Sequence, residues 1–129
     1  MLYRLLPLLL LTFLCTCAPA PENAAAQEAA PTYEDLTPAE FAEKIGAPNT
    51  VLLDVRTPGE TAGGIIPGAI EMDFRAPDFA DQVKQLDSSK TYLVYCAAGG
   101  RSGQTCGMLN EAGFTKVYNL KGGYSAWNP

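Results

Sequence analysis

The chain has 129 residues, with 9 Lys and Arg against 14 Asp and Glu, four Cys and no His. That length suits one compact domain, and a net charge of −5 offers no basic footprint for a nucleic-acid backbone. The missing histidine excludes Ser-His-Asp and Cys-His nucleophiles, imidazole general bases and ordinary His-containing zinc sites, so cysteine chemistry here needs another way to activate a thiol.

The chain begins MLYRLLPLLLLTFLCTC. Arg4 and the α-amino group form a short positive start, and residues 5–14 form a mostly apolar run. A membrane-spanning helix needs about 20 apolar residues, so this run fits the core of a secretory signal peptide instead. Leu14-Cys15-Thr16-Cys17 is similar to the lipobox of bacterial lipoproteins, with Leu three residues before the Cys that carries lipid. The expectation is a lipoprotein-type signal peptide over residues 1–16 and lipidation at Cys17. The alternative is ordinary cleavage near Ala18 or Ala20, giving a soluble secreted periplasmic protein. Loss of Arg4 leaves 8 basic and 14 acidic residues, so charge does not hold the mature chain to anionic membranes. The expected location is therefore the periplasmic or other extracytoplasmic face of the cell envelope, held by the lipid alone. Residues 17–31 follow as an Ala/Pro-rich tether with no aromatic or large aliphatic side chain. As a flexible coil this tether would reach roughly 20 Å.

Residues 32–129 read as the folded domain. Thr37-Pro38-Ala39-Glu40 has capping-box spacing, with Pro at the first helical position. Phe41 and Ile45 then give the helix one apolar side, and Gly46 ends it. Val51-Leu52-Leu53 is a short apolar run of the kind buried on both faces of a sheet. Residues 69–74 make a second, weaker strand. Phe79, Val83 and Leu86 recur at helical spacing, and Asp87-Ser88-Ser89 marks the exit. Thr91 to Cys96 is the clearest strand, rich in aromatic and β-branched residues. Ser102 to Ala112 reads as a helix closed by Gly113, and Lys116 to Asn119 as the last strand. Strands alternating with helices predict an α/β domain: a mostly parallel central sheet of about five short strands with helices on both faces.

In such a sheet, ligands sit beyond the carboxyl ends of the strands. Asp54-Val55-Arg56 follows one strand, and Cys96-Ala97-Ala98-Gly99-Gly100-Arg101-Ser102 follows another. A strand-end cysteine, a loop of small residues and an immediate helix can turn backbone N–H groups inward around an anion. Those groups and the helix dipole lower a thiol pKa without histidine.

These segments carry a specific resemblance over residues 33–127. Asp54-Val55-Arg56 with Glu60, then Gly64-Ile65-Ile66-Pro67-Gly68-Ala69, resembles the first motif of single-domain rhodanese-like sulfurtransferases. Cys96-x-x-Gly99-x-Arg101-Ser102 resembles their active-site loop. Gly113-Phe114 and Leu120-x-Gly122-Gly123-x-x-x-Trp127 resemble their closing pattern. Ile65 stands where the family usually has His, and Thr61 where an aromatic is usual.

The resemblance implies sulfur transfer: Cys96 takes the outer sulfur of a small anionic donor or a persulfide and passes it to a thiol or cyanide acceptor. Residues 97–102 (Ala97, Ala98, Gly99, Gly100, Arg101, Ser102) would bind the anionic donor and persulfide, with no metal or organic cofactor. Asp54, Arg56 and Glu60 read as structural support. Two roles stay open for Arg101, the donor's anionic end or a clamp on the loop. Cys106 reads as core, with a bond to Cys96 as the alternative. A cysteine phosphatase signature has five residues between Cys and Arg, where this chain has four. A non-catalytic binding or sulfur-carrier module is the other alternative. A dithiol redox cycle lacks its C-x-x-C pair in the domain. Partners are expected to be a sulfur donor and a thiol acceptor, with no nucleic acid; the sequence leaves oligomeric state open.

Overall fold

A computed structural model describes residues 32–129 of the chain. The expected signal peptide, the lipidated Cys17 and the tether lie outside the described residues. In chain order the elements are β1 (Glu34–Leu36), α1 (Pro38–Lys44), β2 (Thr50–Asp54), α2 (Pro58–Thr61) and β3 (Ile70–Glu71). They continue as α3 (Phe79–Lys84), β4 (Thr91–Tyr95), α4 (Gly100–Glu111), β5 (Val117–Leu120) and α5 (Gly123–Ala126).

The strands form one sheet in the order β1-β5-β4-β2-β3, and every pairing is parallel. This is the expected α/β architecture. Parallel strands need covering on both faces, and their apolar runs divide accordingly. On one face Leu53, Val55, Val94 and Cys96 pack with Phe79 and Val83 of α3 and Cys106 and Leu109 of α4. On the other, Leu52, Leu93 and Tyr95 pack with Phe41 of α1, with Tyr124 and Trp127 from the C-terminus at the margin. Alternate residues of β4 thus serve opposite cores, as the two-residue period of a strand requires.

Local chemistry explains most boundaries. At α1 the Thr37 hydroxyl accepts the Glu40 N–H at 3.4 Å, while the Glu40 carboxylate accepts the Thr37 N–H at 2.9 Å. α4 begins at Gly100, two residues earlier than the sequence suggests, because Gly99 takes φ +103° and turns the chain directly into the helix. Residues 69–74 contribute only a two-residue strand. Beyond it the Met72 N–H still bonds the Asp54 carbonyl at 2.8 Å, and the Phe74 N–H the Val55 carbonyl at 3.2 Å. The segment follows β2 without continuing the ladder, and Ile70 on this sheet edge is 55% exposed. The last strand runs one residue later than expected, from Val117 to Leu120.

β4 occupies the centre of the sheet, next to β2. Their register sets Asp54 opposite Tyr95, so both chemistry-bearing segments leave the sheet side by side at its carboxyl edge.

Candidate active site

Cys96 directly follows β4, and only 1% of its surface reaches solvent. Its sulfur sits at the floor of the loop that turns into α4. The Gly99 N–H donates to Sγ at 3.1 Å, and the Ser102 hydroxyl donates at 3.3 Å. Burial pushes this thiol up, but hydrogen bonds from the Ser102 hydroxyl and from the N–H groups of Ser102, Ala98 and Gly99 outweigh it. The net effect is a thiol held below its ordinary pKa. The twelve-residue α4 aims its N-terminus at the same sulfur, adding a favourable dipole for the thiolate. This is a route to activation that uses no imidazole.

The loop is held from behind as well as from the front. The Gly99 carbonyl accepts the Gly103 N–H at 3.0 Å and the Asn119 carboxamide at 3.4 Å. The same Asn119 amide nitrogen donates to Asp35 at 2.7 Å, linking the loop through β5 to β1. On the opposite side the Tyr124 N–H donates to the Cys96 carbonyl at 2.7 Å, and the Ser125 N–H to the Ala97 carbonyl at 3.0 Å. Asn119, Tyr124 and Ser125 were not visible as loop supports in the sequence. A buried Asn in an apolar strand and the Gly122-Gly123 pair were the available signals.

Asp54 and Arg56 form a second, almost fully buried unit beside the loop. The Asp54 carboxylate accepts the Arg56 backbone N–H at 3.0 Å, its Nε at 3.0 and 3.1 Å, and its Nη2 at 2.7 Å. Nη2 also donates to the Gly64 carbonyl at 2.7 Å. The guanidinium lies 4.0 Å from the centre of the Tyr124 ring, a favourable cation–π distance. Nε and Nη2 of Arg56 are thereby committed to fixing the segment between β2 and β3.

Glu60 belongs to α2, which repeats the capping box of α1. Its carboxylate accepts the Thr57 N–H and hydroxyl, each at 2.9 Å. It also accepts both arms of Arg101, at 2.8 and 2.7 Å. That ion pair joins α2 to the first turn of α4. Of the two roles the sequence left for Arg101, this geometry displays the clamp, because a donor anion could reach the guanidinium only by competing with Glu60. Ala97, Ala98 and Gly100 add no charge to the rim.

Cys106 lies one helical turn beyond Ser102 on α4, fully buried, and both Cys96 and Cys106 are free thiols. Burial pushes the Cys106 thiol far up, with the nearby charge of Asp35 adding to it. It stays protonated. Ile65 is half-buried where the resemblance would place a histidine, and the smaller Thr61 is buried within α2. Among the described residues no cluster of three or more His, Cys, Asp or Glu could hold a metal ion.

Comparison with known proteins places this geometry in company. The family model of the rhodanese-like domain matches residues 37–129. A sulfurtransferase of Allochromatium vinosum is 34% identical over 79 residues, covering 61% of this chain and 72% of that protein. Thiosulfate sulfurtransferase 16 of Arabidopsis thaliana, a chloroplast protein, is 41% identical over 85 residues, covering 58% of this chain and 71% of its own. The crystal structure of a rhodanese-like domain protein from Staphylococcus aureus superposes with a TM-score of 0.64 at 29% identity. That match covers 74% of this chain and 91% of the other.

Proposed function

The chain belongs to the rhodanese-like family of sulfurtransferases, and we propose that it moves a sulfane sulfur from thiosulfate or a related donor to a thiol or cyanide through a persulfide on Cys96. One observation carries the reading. The Cys96 sulfur is the convergence point of backbone N–H groups, the Ser102 hydroxyl and the start of α4.

The Cys96 thiolate attacks the outer sulfur of the donor. With thiosulfate, a new S–S bond forms to Cys96 while the donor's own S–S bond breaks, and sulfite leaves with the electron pair. The persulfide terminus carries negative charge at neutral pH, and the inward N–H groups of the loop stabilise it where it forms. An acceptor thiolate then attacks that outer sulfur and releases the Cys96 thiolate, which completes a ping-pong cycle. Protein groups supply all the steps in this scheme. Ala97, Ala98, Gly99, Gly100 and Ser102 form the cradle, Arg101 and Glu60 hold its rim, and Asp54 and Arg56 fix the neighbouring loop.

Four rim residues without charge between Cys96 and Arg101, and a guanidinium already bound by Glu60, favour a sulfur atom over a phosphate group. The proposal extends to location: residues 1–16 as a lipoprotein signal peptide, Cys17 as the lipid site, and the domain tethered at the outer face of the cell membrane or in the periplasm.

Intact-mass analysis of the full chain after thiosulfate treatment tests the chemistry. The expected result is a gain of one sulfur atom, removed by cyanide and absent in Cys96→Ser. No gain would favour a non-catalytic module, and Cys96-dependent hydrolysis of an aryl phosphate would favour a phosphatase. Fatty-acid analogue labelling in bacterial cells, lost in Cys17→Ala, tests the anchor. Labelling that persists in this variant would move the lipid elsewhere.

A further inference from the structure

We propose that α5 positions the reacting thiol, with Gly123 as the residue that allows it to do so. The helix is four residues long and is joined to the Cys96 loop by two main-chain hydrogen bonds. The Tyr124 N–H pins the Cys96 carbonyl at 2.7 Å, and the Ser125 N–H pins the Ala97 carbonyl at 3.0 Å. These donors belong to the first turn, where helical N–H groups have no partner of their own.

Peptide planarity converts those two bonds into control of the site. In a trans peptide the N–H points opposite the carbonyl. Holding the Ala97 carbonyl outward against α5 therefore turns the Ala98 N–H to the opposite, inner side of the loop, next to the Gly99 N–H that donates to the Cys96 sulfur at 3.1 Å. Holding the Cys96 carbonyl likewise fixes the peptide that follows the reacting residue. Without α5 both peptide planes could rotate, and the donors would no longer converge on the sulfur.

The approach leaves no room for a side chain at position 123. A Cβ there would lie 2.6 Å from the Cys96 carbonyl oxygen, the Ala97 carbonyl carbon and the Ala98 nitrogen. All three are backbone atoms, so relief requires moving the loop itself. Gly123 also has φ +62°, where any β-carbon is penalised. Gly122, at φ +78°, makes the preceding turn and faces Ala126, whose Cβ would stand 2.7 Å from an added one. The glycine pair thus serves two needs: Gly122 bends the chain into α5, and Gly123 lets α5 touch the cradle.

The inference rests on Cys96 as the reacting thiol, so its test includes a readout independent of sulfur transfer. In the full chain, iodoacetamide alkylation is followed against pH at the Cys96 peptide by mass spectrometry, alongside thiosulfate:cyanide kinetics. Gly123→Ala displaces the loop, and Ser125→Pro removes one pinning N–H and sets a ring carbon against the Ala97 carbonyl in its place. Both variants are expected to raise the alkylation midpoint, by about one pH unit for Gly123→Ala. Both should lower kcat, at least about tenfold for Gly123→Ala, with KM changing much less. If Gly123→Ala fails to fold, Ser125→Pro decides. An alkylation midpoint and a kcat unchanged in a folded variant would overturn the positioning role. A wild-type chain that alkylates at low pH but transfers no sulfur would instead overturn the sulfurtransferase reading, with the midpoint shifts still deciding the role of α5.

Discussion

Glu60 and Arg101 meet as a two-armed ion pair, Nη1 to Oε2 at 2.8 Å and Nη2 to Oε1 at 2.7 Å. The contact joins residues 41 positions apart and ties α2 to the mouth of the cysteine loop. Hydrogen bonds from the Arg101 guanidinium, then from the Thr57 N–H, hold the Glu60 carboxyl well below the usual carboxylate range. A carboxyl with a depressed folded pKa stabilises the fold above its unfolded pKa of about 4.3 and loses that contribution as pH falls further. Glu60→Gln should therefore unfold at lower urea concentration at pH 7, by about 1 kcal/mol given the partial exposure of the pair. Denaturant titrations repeated down the pH scale should show the two proteins converging below about pH 4. A difference constant across that range would mean the carboxylate charge plays no part.

Ser102 bears on reactivity instead of stability. Its hydroxyl is fully buried and donates to the Cys96 sulfur at 3.3 Å. Burial raises this thiol, and the Ser102 hydroxyl is the first of the hydrogen bonds that reverse the effect. Ser102→Ala removes that donor and leaves the Gly99 N–H in place. The alkylation midpoint of Cys96 should rise, by about half to one unit. Sulfur uptake at pH 7 should slow in proportion to the lost thiolate, while the rates converge at high pH where both thiols are ionised. A parallel loss at every pH would show that the hydroxyl acts on the donor instead of the thiolate.

Arg56 supports the site through its grip on Asp54. The pair is almost fully buried, with side-chain exposures of 4% and 0%, and Nη2 reaches onward to the Gly64 carbonyl. Arg56→Ala would strand a buried carboxylate and should cost about 3–5 kcal/mol. Arg56→Lys should recover only part of this, since one ammonium cannot copy the planar fork that serves both carboxylate oxygens and the carbonyl. Chemical denaturation of both variants gives the comparison. Equal stability for Lys and Arg at this position would refute the geometric argument.

The legible and illegible parts of the chain separate along physical lines. The cysteine loop could be read because its chemistry is local: strand, small residues and helix follow one another within a dozen residues. Central strands β2 and β4 announce themselves as apolar runs because both their faces are covered. β1 does not, since Glu34-Asp35-Leu36 is an edge strand whose existence depends on pairing with β5 and whose one buried residue is Leu36. α2 carries Thr57-Pro58-Gly59-Glu60, the same capping-box spacing as Thr37-Pro38-Ala39-Glu40, but no apolar periodicity follows to mark it as a helix. α5 is just as short, and its Gly-Tyr-Ser-Ala sequence has low helix propensity at its start. The partners of Arg101 and Asn119 were hidden for another reason. Each depends on a contact between elements far apart in sequence, α4 with α2 and β5 with β1, and no local pattern encodes which carboxylate a given donor will face.

Cys106 provides the contrast that isolates Cys96. Both thiols belong to the same core, yet the loop surrounds only one with donors, and burial pushes the other far above its ordinary value. A thiol that stays protonated is a poor nucleophile. In the native full chain at pH 8, iodoacetamide should therefore modify Cys96 and leave Cys106 unreacted until the protein is unfolded. Cys106→Ala should cost about 1 kcal/mol through the small void left against Leu109 and its neighbours. Its sulfur uptake from thiosulfate should stay near the wild-type level. Mass analysis after an oxidising treatment completes the test: a Cys96–Cys106 disulfide formed without unfolding would show that the two sulfurs can meet, and would give Cys106 a resolving role in place of a packing one.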